Sequence, residues 1–123
     1  GITNGSSFIT PGAGGAMFVL NVSSRTSSGG QSPTLDITVQ AKNPATTAWF
    51  DLPGAAFTQT TTSTNTQVLV VHPSIPNDSG TGFRRRPGPT PRVLRWQATA
   101  QNLDSGGGQP GTYEFTIGGT YIP

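Results

Sequence analysis

Apolar residues recur at every second position in several short runs of this chain. In TLDITVQAK (34–42), Leu35, Ile37 and Val39 alternate with Asp36, Thr38 and Gln40. Successive strand side chains point to opposite faces, so the run predicts a strand with one dry and one wet face. RVLRWQATAQN (92–102) repeats the pattern, with Leu94, Trp96, Ala98 and Ala100 on one face and Val93, Arg95, Gln97 and Thr99 on the other. In GTYEFTIGGTYIP (111–123), Tyr113, Phe115 and Ile117 are expected inward and Thr112, Glu114 and Thr116 outward. Gly118-Gly119 predicts a bulge or kink there before Tyr121 and Ile122. AMFVLNVS (16–23) sets Phe18, Leu20 and Val22 against Met17 and Val19, with both faces partly buried. TQVLVVHP (66–73) sets Val68 and Val70 against Leu69 and Val71, and AWFDLP (48–53) reads as a short aromatic strand ended by Pro53-Gly54.

Turn chemistry separates these runs. SRTSSGGQSP (24–33), NPATT (43–47) and LDSGGGQPG (103–111) are rich in Gly, Pro, Asn and Ser. The Thr-rich stretch before Gln67 reads as a hairpin loop or a polar strand. SIPNDSGTGFRRRPGPTP (74–91) reads as a long loop, and a loop of that length inside a compact domain is usually functional or mobile. Residues 1–15 read as an extended N-terminal arm, and 16–123 as a single domain. The fold class that follows is all-β, an antiparallel β-sandwich of Ig-like or jelly-roll-like kind with about seven short strands. Trp49, Phe50, Trp96, Tyr113 and Phe115 are its expected aromatic core.

Composition narrows the chemistry. Charged residues make up 10% of the 123, with 17 Gly, 11 Pro and no Cys. Disulfides and thiolate metal sites are therefore excluded, and His72, the one histidine, is expected at a strand rim. The acids are Asp36, Asp51, Asp78, Asp104 and Glu114. Asp36 and Glu114 both fall on outward strand faces, the one pairing with a chance of forming a two-carboxylate set. A solvated role is the simpler reading of both. No nucleophile elbow, phosphate loop or dinucleotide fingerprint occurs. The reading is a non-enzymatic protein without cofactor or metal. No apolar run of about 18 residues is present to span a membrane as a helix, and the opening residues lack the features of a signal peptide.

Charge is small but uneven. Net charge is +2, yet five of the seven basic residues lie in TGFRRRPGPTPRVLRW (81–96). Adjacent Arg84, Arg85 and Arg86 repel each other by about 0.6 kcal/mol per pair in water, so monomer stability is a poor reason for the cluster. Docking on an acidic protein surface is the favoured reading, through Arg84, Arg85, Arg86, Arg92 and Phe83, because the arginine fork grips carboxylates. A solvated loop without a partner is the second reading. Nucleic acid is the third, disfavoured by the low net charge and the single adjacent aromatic, Phe83. In the arm, Ile2, Phe8 and Ile9 are candidate contacts, since such arms dock by adding a strand to a partner.

Four motifs carry a resemblance. They are TVQAKNPATTAWFDL (38–52), VLVVHP (68–73), PRVLRW (91–96) and a closing Y…IGGTYI strand (113–122). Together the segments 34–74 and 91–123 resemble small virion proteins encoded among the head genes of tailed bacteriophages. The resemblance implies a β-rich capsid decoration (cement) protein, a homotrimer on the outer capsid surface whose partners are the major capsid protein and copies of itself. The basic run TGFRRRPGPTP has no counterpart in that pattern. Two alternatives stand beside this reading. One is a carbohydrate-binding β-sandwich using Trp49, Phe50, Tyr113 and Tyr121. The other is a tail or fibre β-domain of the same virion.

Overall fold

A computed structural model describes residues 2–9, 14–26, 33–80, 82–87, 93–102 and 112–122. Among the described residues ten strands form: β1 (Ile2–Asn4), β2 (Phe8–Ile9), β3 (Gly15–Thr26), β4 (Pro33–Lys42), β5 (Trp49–Ala56), β6 (Asn65–His72), β7 (Asp78–Ser79), β8 (Phe83–Pro87), β9 (Val93–Asn102) and β10 (Thr112–Ile122). They build two sheets. The first runs β1-β9-β4-β5, with β2 also along β9; the second runs β10-β3-β6-β8-β7. Every pairing is antiparallel except β6 with β8, which is parallel. The molecule is an all-β sandwich.

Its core follows the alternation. Phe18, Leu20 and Val22 of β3, Leu35, Ile37 and Val39 of β4, Leu69 and Val71 of β6, and Leu94 and Ala98 of β9 are buried between the sheets. Trp96, Ala100, Tyr113, Phe115 and Ile117 pack against them partly buried. Two of the expected core aromatics are elsewhere. Phe50 is 44% exposed, and Trp49 is half-buried beneath the guanidinium of Arg95, 4.3 Å from the ring centroid. Phe18 and Phe57 are the buried rings instead.

Several boundaries differ from the sequence expectation. Pro53-Gly54 does not end β5. Asp51 pairs with Gln40 and Ala56 with Thr38, so residues 52–55 bulge out opposite Val39. Gly54 turns the bulge with φ of 76°, a conformation that side chains with a Cβ resist. Leu52 and Ala55 fold inward from it and are buried. Nor does Gly118-Gly119 kink β10, because pairing with β3 runs unbroken from Phe115 to Ile122. The irregularity falls between Glu114 and Phe115. Ser23 of β3 is the extra residue there, and its hydroxyl donates to the Glu114 carbonyl at 3.2 Å.

The stretch 74–91 is not one long loop, since β7 and β8 lie inside it. FRRRP lacks any apolar alternation and so carries no strand signal of its own. Its pairing comes from the open edge of β6, against which Val68 to His72 match Phe83 to Pro87. The arm is likewise part of the sandwich. Ile2–Asn4 pair with Gln97–Thr99, and Phe8 and Ile9 pair with Leu94 and Val93. It adds a strand to its own sheet.

At one end of the sandwich the chain crosses between sheets. Phe57 N–H donates to the Ile37 carbonyl, and Thr60 exchanges two 2.9 Å bonds with Leu35. Gln67 of β6 then grips this segment. Its side-chain oxygen accepts the Thr58 N–H at 2.8 Å, and its amide nitrogen donates to the Thr58 carbonyl at 2.9 Å. The Tyr113 hydroxyl donates to the Pro33 carbonyl at 2.6 Å, with the Thr60 carbonyl 3.1 Å away. Gln67 and Thr60 are both buried, so this polar plug joins the two sheets where apolar packing runs out.

Candidate functional site

The arginine run is held on a strand rather than a loop. In-register parallel neighbours share a face. Leu69 is buried in the core and pairs with Arg84, so Arg84 points inward; Val70 pairs with Arg85, which therefore points outward. Arg84 reaches across to the first sheet, where its Nη1 donates to the Ala56 carbonyl at 3.1 Å. Its Nε is buried without a hydrogen-bond partner. Arg84 is thus a clasp between the sheet edges, which its place in a charged triplet does not reveal. A charge-assisted bond at a half-buried site contributes about 1–2 kcal/mol. Arg84→Ala should lower the unfolding free energy by about that amount in urea titration; an unchanged midpoint would contradict the clasp.

Arg85 is half-buried on the outer face of the second sheet, and β7 places Asp78 opposite it. Phe83 and Arg86 are fixed by backbone register against Val68 and Val71. Arg92 lies outside the described residues. Ile2, at the far end of the arm, is 65% exposed and belongs to the other sheet. Phe8 and Ile9 follow it along β9. The arm and the arginine strand are therefore on opposite edges, the arm on the outer edge of the first sheet and β8 beside the edge strand of the second.

A second arrangement carries no signal in the sequence. Across the outer face of the first sheet, Asp51, Gln40 and Arg95 stand directly opposite one another on β5, β4 and β9. Gln40 donates to Asp51 Oδ1 at 2.9 Å and accepts from Arg95 Nε at 2.8 Å. The guanidinium of Arg95 continues over Gln40 to the ring of Trp49, which is why Gln40 is only 7% exposed on a nominally wet face. Gln97 bonds Asn4 at 3.1 Å, and Gln59 donates to both oxygens of Asp36. Outward parity is legible in sequence; which polar residues meet across strands depends on register and is not.

Asp36 and Glu114, the two acids expected on outward strand faces, lie on different sheets, the first and the second. Among the described residues no group of three or more His, Cys, Asp and Glu is placed to hold a metal ion. His72 Nδ1 accepts from Ser74 N–H at 3.0 Å in the turn after β6. No helix among the described residues is long and apolar enough to cross a membrane.

One cleft, of about 360 Å³, opens between the sheets and is lined by Ser6, Phe18, Trp96, Ile117 and Gly119. The backbone of Gly5 lies directly on the Trp96 indole, donating its N–H to the Trp96 carbonyl at 3.0 Å. Phe115 meets the same indole edge-on, with ring centroids 5.7 Å apart. Comparison with known protein families, with characterised proteins and with solved structures finds no match to the chain.

Proposed function

We propose that this protein is a non-enzymatic structural component of a virion, of the capsid decoration kind, acting as a homo-oligomer on the outer capsid surface and bridging capsid subunits. The observation that carries the reading is the arginine strand. Three consecutive arginines are registered on β8, and strand pairing carries Arg85, half-buried with its Nε covered, on the outer face of the second sheet. A cation on a strand loses less freedom on docking than one on a loop, which favours capture of an acidic protein surface. The resemblance of its motifs to those of phage head proteins is what points the reading to the major capsid protein as that surface.

The carbohydrate-binding reading is weaker. A glycan platform stacks on free aromatic faces, and here Trp49 is capped by Arg95 and Trp96 lies beneath Gly5, which leaves Phe50 as the exposed large aromatic.

Cosedimentation with purified phage capsids tests the proposal. The wild-type chain should bind at a fixed stoichiometry. The substitution Arg85→Ala should weaken binding roughly tenfold or more, the effect of about 1.4 kcal/mol. Wild-type protein that stays in the supernatant, or an Arg85→Ala variant with full occupancy, would reject it.

A further inference from the structure

We propose that β10 is an interface, pairing antiparallel with β10 of a second copy across a two-fold axis. The described residues leave four sheet edges. The β5 edge is broken by the bulge at Pro53 and Gly54. The arm's two pieces are three and two residues long, and β7 has two residues. These are ordinary devices for preventing edge-to-edge pairing. In contrast, β10 is eleven residues long, contains neither Pro, Lys nor Arg, and runs regularly from Phe115 to Ile122. Among the described residues no strand lies beyond it.

Gly118 and Gly119 strengthen the case. Glycine within a strand costs stability and usually marks a bulge, a bend or a close approach by another chain. No bulge falls at either position, and Gly54 is the one glycine of positive φ among the described residues. Close approach remains. Pairing about Thr116 supplies it. Thr116 then stands opposite the partner's Thr116, and Thr112 opposite the partner's Thr120. Glu114 meets the partner's Gly118, and Tyr113 meets the partner's Gly119. Within the paired span 112–120 each bulky residue faces a glycine or a residue it packs against, Phe115 against the partner's Ile117. Aromatic residues opposite edge glycines are a known stabilising arrangement, and threonine pairs add cross-strand contacts. The two Glu114 carboxylates are four residues apart along the paired strands, about 13 Å, beyond the screening length at physiological salt. Such a contact uses the same strand on both copies and closes on itself. It yields a two-fold pair in place of the trimer implied by the phage resemblance, and it does not rest on the capsid reading.

The test uses the full chain, which has no cysteine of its own. Light scattering of the wild-type protein should give twice the chain mass. Thr116→Cys should form a covalent dimer under mild oxidation, because residues directly opposite are about 4.5–5.5 Å apart, within disulfide reach. Thr112→Cys, equally exposed at the surface, faces the partner's Thr120 and should remain uncrosslinked. A wild-type monomer or trimer by light scattering, or equal crosslinking of the two variants, would overturn the proposal.

Discussion

Replacing Gln67 with methionine should lower stability by about 2–4 kcal/mol, a large share of the roughly 5–15 kcal/mol typical of a domain. Methionine keeps the length and apolar bulk of the side chain, so core filling changes little. What is lost is the pair of bonds to Thr58, at 2.8 and 2.9 Å, at a side chain 2% exposed. The cost of removing a partner from a buried polar group exceeds the value of an ordinary hydrogen bond. The damage is also topological. Thr58 belongs to the crossing segment held on the first sheet through Phe57 and Thr60, and Gln67 belongs to the second. The melting midpoint should fall by roughly 10 °C in a chain of this size. A midpoint within about 2 °C of wild type would show that the plug contributes little.

Gly5→Ala should release the arm. A Cβ at residue 5 would stand 2.2 Å from Trp96 Nε1 and 2.3 Å from Cε2. Real contacts are never so short, and the indole cannot retreat freely because Phe115 packs against it. Overpacking of this sort costs about 1–3 kcal/mol, and Ile2–Asn4, paired with β9 but exposed at all three residues, have little apolar burial to offset it. The expected result is an intact sandwich with a detached arm. Trp96 would then be more exposed, its fluorescence shifted to longer wavelength, and proteases would cut within residues 2–9 far faster than in wild type. Unchanged emission together with unchanged proteolysis would mean that the ring and backbone adjust without separation.

The strands that sequence made legible are those whose apolar period is strong. Leu35, Ile37 and Val39 predict β4 almost to its ends, and the inward set of β9, from Leu94 to Ala100, is as expected. Elsewhere the deciding partner is distant. FRRRP becomes a strand because β6 offers an edge, and the arm because β9 does. Gln67 and Thr60 look like surface residues until the crossing segment brings them together. Trp49 and Phe50 mislead in the opposite way, since large aromatics near the end of an edge strand need not reach the core. The arginine cluster was visible as a cluster, but its division into an inward clasp at Arg84 and an outward Arg85 needed the parallel register. Arg95, from the same basic stretch, is committed to Gln40 and Trp49 instead.

Both sheets are joined through strands far apart in sequence. Ile2 sits opposite Thr99, and Gly15 opposite Ile122. A growing chain adds roughly 5–20 residues per second, so β3 waits several seconds for β10 after it is made. Once β6 has emerged, the row Phe18, Leu20 and Val22 still lacks its neighbour on the β10 side, and the arm waits on β9 in the same way. Folding dominated by such distant contacts is slow, on the millisecond-to-second scale once the chain is whole. A chain halted before β10 would therefore leave β3 as an open edge beside exposed aromatic and aliphatic surface, and association with its own kind would compete directly with folding.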